Sequence, residues 1–98
     1  MEREEFDKLA AQWTAETGFL SSSHQIELHP AGQAIIAAGL AVVPYLLTEL
    51  QKRPSVRWLT ALYRITGEQP VPEEHRGRIR LMAEDWLLWA EKKGIIGA

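Results

Sequence analysis

The sequence predicts an all-α fold, a compact bundle of about five helices in a single domain spanning residues 1–98. Three observations predict it. Apolar residues recur at helical spacing, as in Phe6, Leu9, Ala10, Trp13 and again in Trp58, Ala61, Leu62, Ile65. No stretch of useful length alternates apolar and polar residues, and no Asn-Gly or Asp-Gly pair stands between apolar runs. Glycine and proline fall at the ends of the periodic segments, where helices start and stop.

The first helix is expected over residues 2–17. Acidic side chains crowd its first turn, where they complement the helix dipole, and Gly18 ends it. Residues 19–29 predict a short helix, with Ser21, Ser22 and Ser23 as candidate caps and His29-Pro30 as the interruption. The stretch over residues 30–50 is the most informative in the chain. It reads as two short helices joined at Gly39 in an antiparallel hairpin, the second carrying Val43, Leu46, Leu47 and Leu50 along one face. That second helix should run to Lys52, because the residue before Pro54 is pushed out of helical dihedrals. Ser55 then caps a helix closed by Gly67. Residues 68–72, with two prolines in five positions, form an extended connection, and Pro72 or Gly77 opens the last helix, which Gly94 terminates.

Composition bounds the function. At 98 residues, 46% hydrophobic and 24% charged, the chain can bury a core without staples. It has no cysteine, which removes disulfides, thiolate metal sites and cysteine nucleophiles together. No segment approaches the roughly 18 uninterrupted apolar residues of a membrane span. The acidic start lacks the basic and apolar regions of a secretory signal, so a cytoplasmic location is expected. The net charge of −2 is unevenly spread: residues 1–50 sum to −5, residues 51–80 to +4 and residues 81–98 to −1. Such polarity can steer a charged partner, although water-facing helix surfaces are charged in any case.

Candidate chemistry is sparse. A metal site would have to draw on His24, His29 and His75 with Glu27 or Glu73, and a helix break between His24 and His29 argues against one. His29 reads better as a structural residue at the turn before Pro30. Glu84 and Asp85 are adjacent and point in different directions on a helix, so they read as solvated side chains rather than a catalytic dyad. Ser21, Ser22 and Ser23 lack a nucleophile elbow, and the seven glycines are scattered rather than gathered in a phosphate loop. A small enzyme or a metal protein is therefore the third reading, and no cofactor is implied. Nucleic-acid binding is the second. It would use the basic segment 52–80, where Arg57 and Arg64 share a helix face and Arg76, Arg78 and Arg80 cluster, against a pI of about 5.9 and an acidic first half that repels a polyanion.

Protein binding is the first reading, because apolar residues occur off the core stripes. In the last helix Ile79, Ala83, Trp86 and Ala90 make the expected core face, flanked by Met82 and Leu87, while Leu81 and Leu88 fall nearly opposite. Tyr45 sits away from the stripe of its own helix, and Trp89 lies at the edge of its stripe. These residues either meet the segment 19–29 or the Ile95-Ile96 tail, or they line a surface for another protein or a second copy. The expected partner site is Tyr45, Leu81, Leu88 and Trp89, flanked by Arg57 and Arg64 for an acidic segment.

The pattern Gly39-x-x-Val42-Val43-Pro44-x-Leu46-Leu47-x-x-Leu50 resembles the second helix of HEAT-type repeats, and Pro30-x-x-x-x-Ile35-Ile36-x-x-Gly39 resembles the preceding one. The wider chain, with GFLSSSHQIELHPAGQAII, WLTALYRITGEQPVP and DWLLWAEKKG, is similar to small standalone bacterial, often cyanobacterial, proteins of unassigned activity. Two units are fewer than a solenoid needs. The resemblance therefore implies a compact HEAT-like domain that binds protein without catalysis, in the manner of an antitoxin, an immunity protein or an adaptor.

Overall fold

The computed structural model describes residues 1–20 and 22–96, and among them every regular element is helical. The α-helices are α1 (Arg3–Thr17), α2 (Ser23–Glu27), α3 (Pro30–Ala37), α4 (Val43–Lys52), α5 (Val56–Thr66) and α6 (Ile79–Lys92). Single 3₁₀ turns occupy Gly39–Val42 and Glu73–His75. Helix ends follow local chemistry closely. The Ser22 and Ser55 hydroxyls accept from the backbone N–H of Gln25 and Arg57, capping α2 and α5. The cap expected of Ser21 lies outside the described residues. Gly67 closes α5 in the left-handed conformation, φ 71°, which lets its N–H reach the Tyr63 carbonyl at 2.8 Å.

His29 caps α3, in keeping with the structural role expected of it. Its Nδ1 accepts from the Ala31 N–H at 3.0 Å, so the proton sits on Nε2, which donates to Glu16 Oε1 at 2.7 Å. One imidazole thereby starts α3 and ties it to α1. His29→Ala is expected to cost about 1 kcal/mol of unfolding free energy. His29→Asn, which retains a capping acceptor, should cost less than half as much. Urea unfolding of the two variants separates them, and equal losses would mean that the bond to Glu16, not the cap, carries the effect.

The antiparallel hairpin expected over residues 30–50 does not form. At Gly39, φ 71°, the chain turns by 107° between α3 and the segment Gly39–Lys52, so α3 and α4 both reach α5 but do not lie antiparallel to each other. The antiparallel partner of α3 is α1: Glu16 meets His29, and one turn further along each helix Trp13 lies against Gly32. Helix α4 packs instead on α5 and α6, burying Val43, Leu46, Leu47 and Leu50 as their spacing predicts. Helix α5 is central, touching α2, α3, α4 and α6 through Trp58, Leu59, Ala61 and Leu62.

Two further expectations are corrected near the C-terminus. The last helix begins at Ile79 rather than at Pro72 or Gly77, because the prolines and a 3₁₀ turn consume the intervening residues. Val71 is buried and pins that connection to the core. Ile79 itself is 41% exposed, since it occupies the first turn of α6 beyond the reach of the core that covers Ala83, Trp86 and Ala90. At the other end Lys93 and Gly94 close α6 with Ile95 N–H bonded to the Ala90 carbonyl at 2.9 Å, a Schellman arrangement.

Candidate functional site

The residues expected to bind a partner do not share one surface. Tyr45 is half-buried between α4 and α1, its ring 5.4 Å from that of Phe6 and beneath the Arg3 guanidinium at 5.0 Å. It is thus engaged within the molecule. Arg64 is engaged as well. Its Nε and Nη2 grip both carboxylate oxygens of Glu27, a residue only 7% exposed, with Nη2 to Oε2 at 3.2 Å. The hydrogen bond to Glu27, followed by its charge, raises the Arg64 pKa above the ordinary value. The positive charge that Arg64 was expected to offer a partner is therefore matched from inside.

Arg57 stands elsewhere. Its Nε donates to Thr17 Oγ1 at 2.7 Å and its Nη1 to Ser55 Oγ at 3.2 Å. Thr17 is fully buried and its hydroxyl donates in turn to the Trp13 carbonyl. Partial burial without a carboxylate neighbour lowers the Arg57 pKa. This guanidinium borders a cleft of about 660 Å³ between α1 and the corner joining α4 to α5.

The remaining expected residues lie on α6. Trp89 stacks edge-on against Trp86 at 5.2 Å and donates from its indole nitrogen to Glu68 Oε1 at 3.3 Å, so most of its ring belongs to the fold. Leu81 is half-buried but does not join the buried core, and Leu88 is 54% exposed. Helix α2, within the segment 19–29, packs on α5 and α3. Phe19 and Leu40 are more exposed still, but they lie in interhelical connections rather than on a helix face.

A second cleft of about 480 Å³ opens between α5 and the start of α6, with Leu59, Tyr63, Ile79, Met82 and Trp86 in its wall and the Glu27–Arg64 pair at its border. Neither cleft is lined by Tyr45, Leu81, Leu88 or Trp89.

The candidate metal ligands are also drawn apart. His29 is bound to Glu16, Glu27 to Arg64, and His75 Nδ1 to Asp85 Oδ2 at 2.8 Å. Among the described residues no three His, Asp or Glu side chains converge. Asp85, expected to be solvated, is mostly buried against His75, which the 3₁₀ turn brings back over α6. Among the described residues no single helix is long and apolar enough to cross a membrane.

The cleft beside Arg57 was missed by the sequence reading. Its floor is made of Ala11, Thr14 and Ala15 on the face of α1 turned from the core, and its rim of Lys52 and Arg53 at the end of α4. The signal was present in the crowding of three basic residues around Pro54, within six positions. What it needed was the knowledge that α1 passes beneath them. No family model matches the chain, and no characterised protein or solved structure is significantly similar to it.

Proposed function

We propose that the chain is a non-catalytic protein-binding module that docks a partner on the outer face of α6. One observation carries this reading. Helix α6 fills its share of the core with Ala83, Trp86 and Ala90 and still presents Leu88, 54% exposed, two turns from Leu81, which no core residue covers. A single exposed leucine is ordinary. Exposed Leu88 and half-buried Leu81, on one face of a helix anchored by its opposite face, make a ridge that a partner helix can straddle. Capping a toxin and bridging two members of an assembly are the roles such a small module fits, with the partner supplying the chemistry.

The test uses Leu88→Asp and Leu81→Asp/Leu88→Asp. Leu88→Asp should change stability by no more than about 0.5 kcal/mol, as substitutions at exposed positions do. It should weaken a partner captured stoichiometrically by the wild-type chain about tenfold or more. Sedimentation of the purified chain, alone and as the same variants, separates a foreign partner from a second copy. Partner affinity unchanged in the folded double variant would remove α6 as the docking face, and loss of folding in Leu88→Asp would show that the leucine is structural.

A further inference from the structure

We propose that the cleft between α1 and the α4–α5 corner is a binding site for an acidic peptide segment, with Arg57 and Arg53 as the carboxylate-binding groups. The proposal rests on the reading of the chain as a protein-binding module, but on a different surface from α6.

The electrostatics of the cleft carry the argument. Four basic side chains border it, Arg3, Lys52, Arg53 and Arg57, with two acidic ones, Asp7 and Glu49. Both carboxylates are already matched on their own helices, Asp7 by Arg3 at 3.2 Å and Glu49 by Lys52 at 3.5 Å. Arg53 and Arg57 pair with no carboxylate among the described residues. The cleft thus holds two uncompensated positive charges in a chain whose net charge is −2. No carboxylate among the described residues matches them, which suits them to an anion from outside.

Arg57 is also positioned in a way that a merely solvated arginine is not. The buried Thr17 hydroxyl and the Ser55 hydroxyl, both neutral, hold its Nε and Nη1, while Nη2 has no acceptor among the described residues. A guanidinium held by neutral acceptors keeps its charge for a ligand and loses little side-chain entropy when one arrives. The alanine-rich floor adds the second feature. Ala11 and Ala15 carry no side chain long enough to fill the space above them, so a peptide backbone can approach α1 closely.

The same observations favour a short peptide over nucleic acid. Only two unmatched charges border the cleft among the described residues, whereas a polyphosphate binds through many such contacts. One or two carboxylates on a short segment are enough to engage Arg53 and Arg57.

Isothermal titration of the full chain at low salt with a blocked octapeptide of alternating Glu and Ala supplies the test, with the Gln-for-Glu octapeptide and a DNA octanucleotide as comparison probes. The expected result is saturable one-to-one binding of the acidic peptide, none of the Gln peptide, and weaker binding of the oligonucleotide. Arg53→Gln/Arg57→Gln should lower peptide affinity about tenfold or more, as loss of charged hydrogen bonds does. The charge-matched control Arg78→Gln/Arg80→Gln, at exposed positions at the start of α6, should bind like wild type. Amide chemical-shift changes in the wild-type chain should centre on Ala11, Thr14, Ser55 and Arg57, a readout that does not depend on any variant folding.

Equal weakening in both arginine pairs, tighter binding of the oligonucleotide, no saturable binding, or shifts centred elsewhere would each overturn the proposal. Leu81→Asp/Leu88→Asp should leave peptide binding unchanged. Peptide binding that survives in that variant while its protein partner is lost or retained reports on α6 alone, so the two surfaces fail separately.

Discussion

Trp13→Ala is expected to lower the unfolding free energy by about 3–5 kcal/mol, a large part of the roughly 5–15 kcal/mol that holds a small domain together. Three separate losses combine in it. The fully buried indole fills the junction of α1, α3 and α5, packing edge-on against Trp58 with ring centroids 5.8 Å apart. Its Nε1 donates to the Ile26 carbonyl at 2.8 Å, and without it that buried acceptor keeps only longer backbone bonds such as that from the His29 N–H at 3.3 Å. The cavity left behind cannot close easily, because His29 and Glu16 hold α1 and α3 together on one side and Arg57 and Thr17 hold α1 and α5 on the other. Trp13→Phe retains much of the packing and forfeits the hydrogen bond, so its loss should be clearly smaller. Equilibrium urea unfolding monitored by circular dichroism measures both. A loss under 1 kcal/mol for Trp13→Ala would mean that this junction does not organise the fold.

Gly32→Ala should destabilise by about 1–3 kcal/mol, although alanine is the better helix former by roughly 0.5–1 kcal/mol. The reason is the same indole seen from the other helix. A Cβ at position 32 would stand 2.5 Å from Trp13 Cε2, 2.7 Å from Cζ2 and 2.9 Å from Nε1. These are atoms of a rigid, buried, hydrogen-bonded ring, so relief requires α1 and α3 to move apart. The prediction has a specific signature. In the pair Gly32→Ala with Trp13→Phe, the smaller ring frees space for the added methyl, so the double variant should be less destabilised than the sum of the singles, by about 0.5 kcal/mol or more. A neutral or stabilising Gly32→Ala, the result that helix propensity alone would produce, would show that the close approach is not required.

Gly32 illustrates where a sequence reading stops. Positions 30–38 look helical from Pro30 and the apolar residues that follow, and a glycine in the third position carries no local signal. Its reason lies 19 residues earlier in the chain, at Trp13. Arg64 and Asp85 follow the same pattern. The spacing of Arg64 on α5 correctly places it off the Trp58, Ala61, Leu62 stripe, which invites the reading of a free charge. Its partner Glu27 stands 37 positions away on a separate five-residue helix. Asp85 has no feature that announces His75, because a 3₁₀ turn after two prolines returns the imidazole to α6.

Legible in the sequence, therefore, are the all-helical class, the ends of most helices though not the start of α6, and the inward side of most of them though not the exposure of Ile79. These depend on interactions within about one turn: a serine or histidine reaching the N–H two or three residues on, a glycine taking a left-handed φ, a proline excluding the residue before it, an apolar repeat matching 3.6 residues. Only the tertiary structure decided that α3 pairs with α1 rather than α4, that Arg64 is spent on Glu27 while Arg57 is left facing a cleft, and that Leu88 on α6 stays uncovered. An apolar stripe specifies that a face must be buried, not which other face buries it. That choice is made by side-chain shape and complementary charge between segments far apart in the chain, and nothing in the local spacing of residues encodes it.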